Sequence, residues 1–200
     1  EREALALFRT LGERSGQAIG LLHLGQIAVY VGDNELADSS LNECLRIAKS
    51  IQHREVEGEA ELRLGENAFE SGRPDDARRH LERSLAICRE AGDRRGEAHA
   101  LNWLGKADLE AGDVDEAHLH LREALLSFRD FEMREELVDC LEDYAELARQ
   151  LGDANLGVRL AAAPRGVRGE QLGPRGHHHE QGDVAGRRNQ VVEEPEHRVV

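Results

Sequence analysis

The side chains best suited to chemistry in this 200-residue chain are few and scattered. His177, His178 and His179 stand together with Glu180 and Asp183 close behind, and imidazole and carboxylate are common ligands of transition metals. Adjacent residues in a stretch without helical or strand period do not present a preorganised tetrahedral set, so a solvated low-complexity segment is expected and no metal site. Cys44, Cys88 and Cys140 are odd in number and too widely spaced for a zinc or redox motif, which predicts three buried, reduced thiols. The phosphate loop G-x-x-x-x-G-K-[ST], the zinc pattern H-E-x-x-H, the nucleophile elbow G-x-S-x-G and the dinucleotide pattern G-x-G-x-x-G are all missing from the sequence. The expectation is a chain that is not an enzyme and takes no cofactor.

What remains is binding chemistry, and that depends on the elements that carry it. The chain is 33% charged, 40% hydrophobic and 4% aromatic, a composition that favours many small interfaces over one large core. Thr10 is the only threonine, while Ala, Leu, Glu and Arg recur throughout, so helix formers dominate and an all-β fold is excluded. No apolar run approaches the roughly 20 residues of a membrane helix, and the opening Glu-Arg-Glu lacks a secretory pattern, which points to a cytoplasmic protein without membrane contact. The start at Glu1 and the lone Met133 suggest a piece of something longer.

Charge is uneven along the chain. Residues 164–200 balance six Arg against six Asp or Glu, so the net charge of −14 falls on residues 1–163 and argues against binding a nucleic-acid backbone. The same final stretch holds three of the four prolines and six glycines without apolar period, and is expected to be a disordered tail.

Residues 1–163 repeat at a spacing of 40. Leu24, Leu64 and Leu104 are each followed by glycine, at Gly25, Gly65 and Gly105, with Tyr144 and Ala145 in the fourth place. Then come Gly32, Gly72, Gly112 and Gly152; Ala37, Ala77 and Ala117; and Leu41, Leu81 and Leu121. The second glycine of each unit falls between two segments of helical period, which predicts helix, tight turn, helix. Asp33, Asp113 and Asp153 are placed to cap the second helix, and Pro74 suits its first turn. Small residues at 25 and 37 permit close helix approach, while Leu24, Leu41 and Leu45 supply the apolar ridge.

This pattern resembles the tetratricopeptide repeat, with Leu-Gly in the first helix, Gly at the turn and Ala in the second. It departs where Leu or Glu stands for the first-helix aromatic, where Leu stands for the second-helix aromatic, and in a unit six residues longer than usual. The longer unit is similar to the subtype in kinesin light chain and Leu-Gly-Asn-type scaffolds. EALALFRTLGERSGQA and REALLSFRDFEMREELVDCLEDYAELARQLGD also resemble the carboxy-terminal arrays of bacterial signalling ATPases and LuxR- or MalT-like regulators. The resemblance implies an all-α, right-handed superhelical solenoid: a lone helix at 1–11, repeats at 13–52, 53–92 and 93–132, and a partial repeat at 133–163.

Helical geometry then selects the side chains that face the groove. In the first repeat these are Ile19, Leu22, His23, Gln26, Val29 and Tyr30, and in the second Glu59, Leu62, Arg63, Glu66, Phe69 and Glu70. The third contributes His99, Asn102, Trp103, Lys106, Leu109 and Glu110, and the fourth Asp139, Glu142, Asp143, Glu146, Arg149 and Gln150. Eight of these are acidic and three basic, so a basic or amphipathic protein or peptide segment is the expected partner, with another domain of the same chain as a further possibility. Trp103, the only tryptophan, is the natural anchor. Asn102, Arg63 and Lys106 resemble the polar residues with which such repeats hold peptide backbones or carboxylates. The expected role is that of a binding module, the sensor or regulatory array of a larger bacterial ATPase or transcription regulator. The alternative is a structural or self-assembling scaffold without a groove ligand.

Overall fold

The computed structural model describes residues 8, 10 and 12–152. The chain divides into two units, 1–166 and 167–200, and every described residue lies in the first. Most of the expected helix at 1–11, Asp153, the end of the partial repeat, the tail and its histidine triple lie outside the described residues.

Seven helices follow one another across residues 14–151: α1 (Arg14–Val31), α2 (Asn34–Ser50), α3 (Arg54–Glu70), α4 (Pro74–Ala91), α5 (Arg94–Ala111), α6 (Val114–Asp130) and α7 (Arg134–Leu151). No strand occurs among the described residues, and the architecture is a helical solenoid of antiparallel pairs. No helix among them is long and apolar enough to cross a membrane.

The turn inside each pair is built on a left-handed residue. Gly32, Gly72, Gly112 and Gly152 have φ between 67° and 81°, where a side chain would be strained. Gly32 returns its N–H to the Val29 carbonyl at 3.0 Å, satisfying an orphan acceptor at the helix end. Asp33 accepts from the Leu36 N–H at 3.1 Å and Pro74 opens α4, as their positions predict. Asp113 departs from expectation: it stands at the N-cap but makes no side-chain cap bond, and its carboxylate lies 3.7 Å from Arg78.

The turns between pairs follow the same rule at positions the glycine series does not reveal. Gly12 and Gly92 are left-handed at φ 70° and 72°, and the residues at the same register, Gln52 and Glu132, adopt 57° and 58° despite having side chains.

Packing explains the fixed glycine of the first helices. A Cβ on Gly65 would stand 2.6 Å from Leu81 Cγ, and one on Gly105 2.5 Å from Leu121 Cγ, so the leucine of each second helix lies directly on bare backbone. Leu41, Leu81 and Leu121 are each 0% exposed. In the fourth pair Tyr144 replaces this Leu-Gly step; its ring is buried edge-on to His118 and its hydroxyl donates to the His118 carbonyl at 3.0 Å.

Each second helix packs between two first helices, and successive first helices also touch one another, whereas the backbones of α2, α4 and α6 stand apart. The first helices therefore line the inner face. Buried charges tie the pairs together. Glu61 of α3 accepts from His80 of α4 at 2.6 Å and lies 3.4 Å from Lys49 of α2; Asp108 of α5 meets His120 of α6 and Arg78 of α4, each at 2.6 Å. Burial opposes the Glu61 charge, but His80 and Lys49 outweigh it and hold the carboxyl below its usual range.

Candidate functional site

The inner face separates into three parts. At the α1 end, His23 and Tyr30 project into solvent, Tyr30 being 91% exposed. Leu22 and Leu62, expected to face the groove, are instead buried in the core clusters; 100° per residue sets them at the edge of the face, next to the apolar ridge.

The second part is a closed polar cluster. Arg63 donates to Glu59 at 2.9 Å and to Glu66 at 2.8 Å on its own helix, and Gln26 of α1 donates to the same Glu59 at 3.1 Å. Two carboxylates one turn away on either side saturate the guanidinium, so Arg63 is not free to clamp a carboxylate, as its resemblance implied. His99 lies beside this cluster, edge-on to Phe128 at 5.3 Å, and burial followed by the Arg63 charge lowers its pKa. Asn102 is 8% exposed and its Oδ1 accepts no hydrogen bond, an unmet acceptor on the inner side of α5.

The third part is a groove of about 570 Å³ between α3, α5 and α7, where Phe69, Trp103 and Leu109 form the apolar lining and Glu70, Glu110 and Glu142 stand at the rim. Trp103 is half-buried, edge-on to Phe69 at 5.6 Å, and the Lys106 ammonium lies 4.6 Å from its ring centroid. Lys106 is 3.6 Å from Asp143 Oδ2, near enough to attract but beyond hydrogen-bonding reach, and that oxygen has no hydrogen bond. Burial raises the Asp143 carboxyl above its ordinary value, with Lys106 offsetting only part of the cost. Glu146 is already engaged by Arg149 and Gln150, and the Arg149 hydrogen bond leads in lowering its pKa to about 2. Glu70, Glu110 and Glu142 make no ion pair among the described residues, so the groove carries unmatched negative charge around an aromatic floor.

Ten of the residues expected to face the groove thus converge here: Phe69, Glu70, Trp103, Lys106, Leu109, Glu110, Glu142, Asp143, Glu146 and Gln150. Their exposed and half-exposed positions on first helices at 40-residue register were readable in the sequence; the Lys106 position over Trp103 was not, because it depends on a lysine rotamer held by Asp143 of the next repeat.

The three cysteines are poorly placed to act as nucleophiles. Cys44, Cys88 and Cys140 are free and buried, and burial raises Cys44 to about 12 and Cys88 to about 11, which suppresses the thiolate. No group of three metal-ligating side chains occurs among the described residues.

A stack of helix pairs with an open inner groove defines a helical-repeat array of the kind that generally serves protein interaction. Residues 57–129, from α3 to the end of α6, match the tetratricopeptide repeat family. Comparison with curated proteins gives no match.

Proposed function

We propose that the array receives a basic or amphipathic segment of a protein or peptide in the inner groove between α3, α5 and α7. The observation that carries this reading is the half-buried Trp103 surrounded by the unpaired carboxylates of Glu70, Glu110 and Glu142. An indole contributes a large contact area at low entropic cost, and the carboxylates select for positive charge and against nucleic acid. Gln26, His23, Tyr30, Arg63, Glu66, His99 and Asn102 extend the same face towards α1 and form the flank along which the segment lies. The wider setting, the sensor or regulatory array of a bacterial ATPase or transcription regulator, is supported by the phrases at residues 3–18 and 122–153, and the full-length gene tests it.

Because Trp103 is the sole tryptophan, its fluorescence reports on this groove alone. Titration with a synthetic peptide of alternating Arg and Leu should shift that emission, and binding should fade towards 1 M salt, where the screening length is about 3 Å. Absence of binding at about 100 µM peptide, or equal binding of an acidic peptide or duplex DNA, overturns the reading.

A further inference from the structure

The outer face carries a charge pattern independent of the inner groove. The backbones of α2, α4 and α6 stand apart, which leaves a furrow on each side of α4, crossed on the α6 side by the Arg89–Glu123 pair. The furrow between α2 and α4, about 490 Å³, has Leu45, Leu64 and Ala68 at its base and Arg73, Arg79 and Arg83 along its α4 side. Asp38 pairs with Arg73 at 3.0 Å and Asp76 with Arg79 at 2.8 Å, but Arg83 makes no ion pair among the described residues. Exposed Arg46 continues the positive side along α2, with only Glu43 near it at 3.9 Å.

The 40-residue register allows the same furrow to be compared one repeat later, between α4 and α6. Arg73 becomes Asp113, Arg79 becomes Leu119, Arg83 becomes Glu123 and Asn42 becomes Glu82, all of them exposed positions in the later furrow. Glu82 makes no ion pair among the described residues, while Glu123 and Asp113 reach only Arg89 at 3.5 Å and Arg78 at 3.7 Å. Leu119 is 60% exposed beside them. The first furrow carries an excess of one positive charge, three arginines against Asp38 and Asp76, while its neighbour sets Glu82, Asp113 and Glu123 against Arg78 and Arg89; α4 is the ridge between.

An acidic partner would account for the first furrow and leave the second without use. A copy of the chain accounts for both, because an isologous interface must be self-complementary. We propose that the outer face binds a second copy of this chain about a two-fold axis running along α4. Rotation about that axis keeps the two α4 helices parallel and exchanges left with right, so each basic furrow meets the other copy's acidic one. Arg83 then lies level with Glu82 of the partner subunit, and the exposed Ala86 permits close approach at the ridge. A two-fold perpendicular to α4 would oppose like charges and is disfavoured. The net charge of −14 works against any association, but at physiological salt it is screened beyond about 8 Å, whereas pairs in contact are not.

Sedimentation velocity of the full chain at about 100 µM and physiological salt tests this. The wild type should dimerise, and 1 M salt should dissolve the dimer. Arg79→Glu with Arg83→Glu makes both furrows acidic, and Glu82→Arg with Glu123→Arg makes both basic; each double variant alone should dimerise at least tenfold more weakly with unchanged helix content. Mixed one to one, they should form a heterodimer, which no structural damage would produce. A monomeric wild type, variants that self-associate as tightly as the wild type, or a mixture that stays monomeric overturns the proposal. So does dissociation by Trp103→Ala, which would place the contact in the inner groove, or capture of polyglutamate by a monomeric wild type, which would assign the furrow to an acidic partner.

Discussion

The Lys106 ammonium rests 4.6 Å from the centroid of the Trp103 ring, so the groove between α3, α5 and α7 already holds one cation against its indole. Asp143, 3.6 Å away on the next repeat, keeps it there. This internal pairing occupies the ring face that a cationic partner side chain would use, and its removal distinguishes the groove from an inert surface.

Trp103→Ala should weaken binding of the Arg-Leu peptide by at least about 2 kcal/mol while helix content stays unchanged. Titration calorimetry and circular dichroism on the same variant check both halves. A core role would instead lower stability by about 3 to 5 kcal/mol and leave binding by the folded fraction intact.

Lys106→Gln should have the opposite sign. Freed of its competitor, the Trp103 face and the Asp143 carboxylate become available, and the peptide should bind several-fold tighter with a steeper salt dependence. Unchanged or weaker binding, read from calorimetry at two salt concentrations, would show that the stacked lysine is part of the recognition surface.

Stability should fall as the pH drops through the ordinary histidine value of 6.5. The pKa values of His99 and His118 are lowered from 6.5, chiefly by burial, so below that value the unfolded chain binds protons that the folded chain does not. Their contribution is present above the unfolded pKa and is lost as pH drops, by at most about 1.4 kcal/mol per pH unit for each histidine. Urea melts of wild type and His99→Gln measure it, the variant being expected to show the shallower slope. Glu61 acts in a lower window: its carboxyl is held below 4.5, so its stabilisation is lost as pH falls below that value.

Gln52→Gly and Glu132→Gly should each raise stability by about 0.5 to 1 kcal/mol, because φ of 57° and 58° strains a side chain that glycine lacks. Gly92→Ala, at φ 72°, should lower it by about 1 kcal/mol. Chemical denaturation of the three variants gives the comparison.

Gly105→Ala should cost about 1 to 3 kcal/mol, since its Cβ would meet both Leu121 Cγ at 2.5 Å and the Leu121 backbone nitrogen at 3.2 Å. Gly25→Ala should cost less: its close contacts, at 2.5 Å, are all atoms of the Leu41 side chain, which can rotate away. Equal losses in a thermal melt would mean that the leucines, rather than the backbone, limit the approach.

The repeat register alone determined the helices, their order and the all-α solenoid, because glycine at a left-handed turn and leucine against glycine are requirements of local backbone and of adjacent helices. Periodicity also brought Trp103, Glu110, Glu142 and Asp143 to one face, since direction on a helix follows from 100° per residue. It could not show that Arg63 is saturated by Glu59 and Glu66, that Asp113 turns to Arg78 instead of capping, or that Gln52 and Glu132 take glycine-like turns. Those outcomes depend on which of several charged neighbours lies within reach, and on packing strong enough to impose an unfavourable φ. The buried ties of Glu61 to His80 and of Asp108 to His120 belong to the same class. A charged residue in a helical sequence reads as solvent-facing until an adjacent helix supplies its partner and excludes water, and only the tertiary structure brings that helix into place.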